Sequence, residues 1–329
     1  MTNHIPVWIK EPICIFLREV GKIPVSIAFF HAICDYADLR KLPDEQMKKI
    51  YNMRHQYILK HLTRRYGAEI ETNIPHVDQV VEEDHNAPIW VFWWQGMDAA
   101  PEVVKICVHS LIRNSGNHPV IVVDQQNYHQ YVQLPQYIVQ KQQSGYISLT
   151  HFSDILRVNL LADHGGFWCD ATVYCTKQIP EEVFSGDFFT CRNPGGNYKN
   201  VSDWNWTGYL MSCHRGNILC RTAKNIFNAY WKHENRLVDY FLIDYVIKMI
   251  YDHDPRVRRM IDRIPINNVN QAFLQDHFGE PVTEKMKQSL NEDATWLYKV
   301  SWKAAYPAQI DDHETLYGYW LRRDREMYP

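Results

Sequence analysis

Residues 151–175, HFSDILRVNLLADHGGFWCDATVYC, decide how this chain folds. Ser153 offers a hydroxyl to cap a helix N-terminus, which places Asp154 in the first turn, where the helix dipole favours an anion. Ile155, Leu156, Val158, Leu160 and Leu161 supply an apolar face. Gly165 and Gly166 stop the helix, because glycine tolerates backbone conformations closed to other residues. Asp154 and Arg157, three apart, leave the helix on one side. The following segment alternates, with Phe167, Cys169, Ala171, Val173 and Cys175 on one face of a strand. Trp168, Asp170, Thr172 and Tyr174 take the other face, so Asp170 and Thr172 point the same way. The dull reading of Asp154 and Arg157 is an exposed ion pair, and that of Asp170 is a polar end to a strand.

Outward from this segment the pattern is that of an α/β fold. Residues 87–96 (APIWVFWWQG) and 119–124 (PVIVVD) read as strands, with a helix over 101–113 between them. Strand–helix–strand order predicts a parallel, Rossmann-like unit. Helices are expected over 135–145, 218–231, 237–251 and 316–327, and a late strand over 296–302. Residues 1–85 differ. Prolines 6, 12, 24 and 43 break them into short helices, and 44–66 is helical, with Met47, Ile50, Tyr51, Ile58, Leu62 and Tyr66 at helical spacing. Its polar side holds Lys48, Lys49, Arg54, Lys60, Arg64 and Arg65. Such a helix either lies on an anionic membrane or docks on the main domain with a solvated basic face. The expected division is a helical accessory segment over 1–85, able to associate with a membrane, and an α/β domain over 86–329.

The net charge of −3 argues against a nucleic-acid partner, which leaves a basic footprint, but leaves small anionic substrates open. None of the eight cysteines forms a CxxC pair, so neither a zinc site nor a disulfide framework is expected. The start of the chain shows no basic and apolar leader pattern. A cytoplasmic protein is the expectation, peripheral on the inner face of the membrane if the basic helix binds lipid.

SDILR at 153–157 followed by GGFWCDAT at 165–172 resembles the sugar-donor motif SDxxR…GGxYxDxD of GT-A glycosyltransferases. The likeness is to the bacterial capsular polysaccharide synthesis family, in which the last motif reads DAT. It extends over about residues 89–319 and includes IWVFWWQG, WNWTGY (204–209) and DYFLIDY (239–245). The resemblance implies a GT-A mixed sheet flanked by helices. It implies that Asp154 accepts hydrogen bonds from sugar hydroxyls and that Arg157 reaches sugar and diphosphate. It makes Asp170 a ligand for Mn²⁺ or Mg²⁺, or for the ribose. Thr172 replaces the second aspartate of DxD, and a neutral hydroxyl is a poorer metal ligand. Trp93 stacks on the nucleotide base by the same likeness, with Gln95 on its side of the strand. Trp204, Trp206 and Thr207 line an acceptor groove, and Lys303 either contacts the diphosphate or is solvated. Asp312 and His313, with Asp311, either complete the metal site or form a solvated acidic turn. Asp244 either pairs with Lys248 or faces a cleft, where burial raises its pKa and suits it to catalysis.

The implied reaction transfers a hexose, with retention, from a nucleotide-diphosphate sugar to a hydroxyl of a growing capsular or exo-polysaccharide, a lipid-linked glycan among the acceptors. A transferase acting on a protein target and a non-catalytic sugar-binding module are the alternatives.

Overall fold

In the computed structural model, which describes residues 5–71 and 86–328, prolines rather than side-chain caps open the first three helices. Pro6, Pro24 and Pro43 precede α1 (Val7–Glu19), α2 (Val25–Arg40) and α3 (Asp44–Tyr66). A ring-fixed φ pre-forms the first turn. Pro12 does not break the chain as expected, because α1 runs through it. α3 has the expected limits and buries Met47, Tyr51, His55, Ile58, Leu62 and Tyr66; α4 (Ala68–Glu71) follows it. The boundary expected at 85 falls outside the described residues.

Next come β1 (Ile89–Phe92), α5 (Glu102–Asn114), β2 (Val120–Val123), α6 (Tyr128–Tyr131) and α7 (Gln136–Gln143). α8 (Leu149–His164), β3 (Gly166–Cys169) and β4 (Val173–Cys175) cover residues 149–175. They are followed by α9 (Glu182–Ser185), β5 (Phe188–Thr190), β6 (Leu210–Cys213), α10 (Ile218–His233), α11 (Leu242–His253) and α12 (Pro255–Asp262). α13 (Phe273–His277), α14 (Glu284–Glu292), β7 (Leu297–Lys299), β8 (Gln309–Ile310), β9 (His313–Glu314) and α15 (Leu316–Met327) complete the order.

The main sheet has the order β2-β1-β3-β6-β5. β1 lies parallel to β2 and to β3, as strand–helix–strand order predicts, while β6 runs antiparallel to β3 and β5, which makes the sheet mixed. Alternate residues feed two cores. Trp90 and Trp168 enter one, with residues of α8, α10 and α11. Ile89, Val91, Phe167 and Cys169 enter the other, with residues of α5. Ile27, Ile58, Leu62, Tyr66 and Ile70 of the N-terminal helices share the first core.

Three local expectations are corrected. Ser148, not Ser153, caps α8 by accepting from His151 N, so Asp154 lies in the second turn and the first-turn dipole argument does not apply. The long strand is two strands. After Asp170 N donates to Tyr209 O, Val173 N turns back to Asp170 O, and β4 leaves the main sheet to pair antiparallel with β7. Asp170 and Thr172 therefore sit in a turn between sheets. Finally, α11 starts at Leu242 because the Asp239 carboxylate accepts from Phe241 N, a local bond that competes with helix.

The double glycine is required twice over. Gly165 and Gly166 both have positive φ, and a Cβ on either would come within 2.5 Å of backbone, of Arg215 N and Pro88 O respectively.

Candidate active site

The chain leaves β1 for β2 on one side and returns to β3 on the other. The C-terminal ends of β1 and β3 therefore flank a topological switch point, where open α/β sheets form clefts. A cavity of about 650 Å³ opens there. Phe92, Trp93, Trp94 and Gln95 approach it from β1, and Trp168, Asp170 and Thr172 from β3. Residues 299–303 form a further wall. Trp93 meets the half-exposed Trp302 edge to face, with ring centroids 5.7 Å apart.

From this surface inward runs a chain of alternating charge. Arg157 Nη1 donates to Asp154 Oδ1 at 2.6 Å, and its Nη2 donates to Asp170 Oδ1 at 3.1 Å. Trp168 Nε1 donates to the same Oδ1 at 3.0 Å, while its ring lies 4.9 Å from the Arg157 guanidinium carbon. Lys299 Nζ closes the chain, donating to Asp170 Oδ2 at 2.9 Å and to Thr172 Oγ1 at 2.6 Å. Burial alone would raise the Asp170 pKa, but Lys299 and Arg157 outweigh it and hold the carboxyl below its ordinary value. Deeper still, Trp231 Nε1–H can only donate, so His151 Nε2 accepts at 2.8 Å. The His151 proton is then on Nδ1, 3.3 Å from Asp154 Oδ2.

Asp154 and Arg157 do share one side of α8, as spacing predicts, but their pair is buried rather than exposed. Neither they nor Asp244 line the cavity; they lie behind it. Asp244 does not pair with Lys248, which binds Asp252 instead. It accepts from Trp206 Nε1 at 3.0 Å and Asn200 Nδ2 at 3.1 Å, and burial pushes it up to about 7. The segment WNWTGY is thereby anchored from below: Trp206 is fully buried and lines no part of this cavity. Gly208 packs closely on this network: a Cβ there would sit 3.2 Å from Arg157 Nη1, so the guanidinium would have to shift by a few tenths of an ångström.

Trp93, Gln95, Thr172 and Lys303 all line the cavity, the last as an exposed side chain beside Trp302. Asp312 and His313 are not brought to it. Asp311 and Asp312 form the exposed two-residue turn of the β8–β9 hairpin, both with positive φ, and His313 follows them. Among the described residues no three His, Cys, Asp or Glu side chains cluster as a metal centre would require. The donor set at Asp170 is filled as well. Both carboxylate oxygens have cationic partners, and the Lys299 ammonium stands between Asp170 and Thr172. In this arrangement Arg157 and Lys299, rather than open coordination positions, satisfy these oxygens.

Lys299, Trp302 and Tyr240 are site residues that sequence reasoning missed. A signal for Lys299 was present: it is the one charge inside the apolar run WLYKVSW (296–302). Its partners, 127 and 129 positions away, are supplied only by the pairing of β4 with β7.

A family model described as "Capsular polysaccharide synthesis protein" matches residues 40–320. No curated protein sequence matches the chain. Among solved structures, one titled "PaToxG Glycosyltransferase" aligns at 12% identity with a TM-score of 0.35, covering 75% of this chain and 94% of the other.

Proposed function

The chain belongs to the capsular polysaccharide synthesis family, and on that premise we propose that it is a glycosyltransferase. In this reading a hexose moves from a nucleotide-diphosphate sugar to a hydroxyl of a growing capsular polysaccharide, with retention of configuration. One observation carries the proposal. A carboxylate bridged by two cations lies at the wall of a cavity of about 650 Å³ at the switch point of the sheet, between aromatic rings. That volume suits a nucleotide sugar, since ligand pockets span roughly 300–1,000 Å³.

The roles follow from the placement. Trp93 and Trp302 offer faces and edges to the base. Lys299 and Lys303 meet the diphosphate and stabilise the charge that grows as it departs. Asp170 and Thr172 hold Lys299. Arg157 and Asp154, behind the wall, are positioning residues that fix Asp170. The departing diphosphate takes the acceptor proton, so the chain's share is orientation and charge stabilisation. Asp244 serves as an anchor for Trp206 rather than as a nucleophile, because it lies outside the cavity. Contact with anionic lipid, through the exposed bases and apolar side chains of the N-terminal helices, belongs to the same proposal.

A thermal-shift screen of nucleotide-diphosphate sugars tests the reading, because a ligand bound only by the folded state raises the melting point. A stabilising donor that is also slowly hydrolysed in the absence of acceptor is the expected result. A chain that no such donor stabilises is not a transferase of this class.

A further inference from the structure

We propose that Lys299 is a built-in cation, occupying the place of a divalent metal and binding the diphosphate of the donor directly, so that this chain takes nucleoside diphosphates without metal. The inference rests on the transferase reading and specifies how the donor is recognised.

Four observations meet at this side chain. Lys299 ends β7, whose neighbours Leu297, Tyr298 and Val300 are buried, so it is not one lysine of a solvated face. It lines the cavity, with its side chain only 29% exposed. Its ammonium donates to Asp170 and Thr172, leaving one N–H with no acceptor among the described residues. Three donors around a point charge, two used and one without an acceptor, beside the Tyr209 ring 5.2 Å away, make a phosphate receptor with a fixed position. Thr172 supplies the fourth observation. A second aspartate at 172 would recruit a divalent cation, whereas a hydroxyl satisfies an ammonium without adding charge. The residue that weakens a metal site is the one that accommodates the lysine. The charge sequence Asp154, Arg157, Asp170, Lys299 is neutral overall, so Asp154 behind the wall and Asp170 at it are both compensated before a diphosphate arrives.

The experiment is calorimetric titration of the full chain with uridine, guanosine, adenosine and cytidine diphosphates, in EDTA and with excess Mn²⁺. Expected for the cognate diphosphate is affinity equal within about twofold in the two conditions. Lys299→Met should weaken it at least about tenfold, as loss of a charge-assisted bond to phosphate implies. The corresponding nucleoside should bind the variant as it binds wild type, and Lys299→Arg should recover part of the loss. With the ammonium gone, Asp170 and Thr172 are free to share Mn²⁺, so the metal should improve binding to Lys299→Met and not to wild type. Wild-type binding that requires Mn²⁺ overturns the proposal while leaving the transferase reading in place, and it does so even where Lys299→Met does not fold. Wild-type affinity in a folded Lys299→Met also overturns it. Failure of every diphosphate in both conditions removes the transferase reading and this proposal with it.

Discussion

Arg157 is nearly inaccessible, yet both terminal nitrogens of its guanidinium are engaged, one by Asp154 and one by Asp170. Asp154→Asn keeps the shape and removes the charge that balances this arginine. The variant should remain folded and lose at least about tenfold in donor turnover, about 1.4 kcal/mol of transition-state stabilisation. Donor hydrolysis at the wild-type rate by a well-folded variant would rule out a part for Asp154 in the site. Asp244 gives a prediction of another kind. Burial lifts it to about 7, against an unfolded value of about 3.9. Between about pH 4 and 7 the unfolded chain has lost this proton and the folded chain keeps it, so stability from this group falls as pH rises. It is fully present below about pH 4 and does not change further above about pH 7. Asp244→Asn should remove that slope. Urea unfolding of both proteins at about pH 5 and pH 8 checks it: a difference between them that is independent of pH contradicts the assignment.

The N-terminal helices reach the cavity through one loop. Arg54 of α3 donates to Asp239 at 2.5 Å, and His31 Nε2 of α2 lies 3.2 Å from the same oxygen. His31 Nδ1 in turn lies 2.8 Å from Glu19. Asp239 is buried, and the next residue, Tyr240, lines the cavity. A three-helix scaffold thus fixes one wall of the site. Asp239→Asn leaves the largely buried Arg54 without its charge partner, which should cost about 3 kcal/mol of stability. The Michaelis constant for donor should rise with it, because Tyr240 loses its anchor. A chemical-denaturation midpoint unchanged from wild type would show that the pair bears no such load.

Across the whole molecule, apolar exposure gathers on α1 and α2. Ile13, Leu17 and Val20 recur at helical spacing and are exposed, as are Val25 and Phe29, with Lys10, Arg18 and Lys22 nearby in the chain. Among the described residues no helix is long and apolar enough to cross a membrane. The C-terminal helix, by contrast, turns Tyr317 and Trp320 inward and covers Tyr319 with Lys287, Arg322 and Arg323. Tyr317 is buried, Trp320 stacks on Tyr174 at 4.1 Å, and Arg322 pairs with Glu314 and Glu326. The exposed apolar and basic residues of the N-terminal helices, rather than the C-terminal helix, are thus the surface on which the proposed lipid contact is tested. Co-sedimentation with phosphatidylserine vesicles should show binding at low salt that fades as the Debye length shrinks to about 8 Å near physiological ionic strength. Leu17→Glu should abolish it. No binding at low salt would remove the membrane from the account.

Sequence by itself determined what depends on neighbours in the chain. The period of α3, the strand–helix–strand unit around β1 and β2, the Asp154–Arg157 spacing and the double-glycine stop all arise from contacts a few residues apart. The order of its motifs carried the family. Tertiary structure decided what depends on distant partners. The strand through Asp170 breaks because β7, about 125 residues on, offers β4 its own ladder. That break brings Lys299 between Asp170 and Thr172. Alternation in sequence records which face a residue takes, but not whether the face meets water, a carboxylate or a cation. For the same reason Asp244 reads equally as an exposed pair with Lys248 or as a buried acid, until Trp206 and Asn200 close over it.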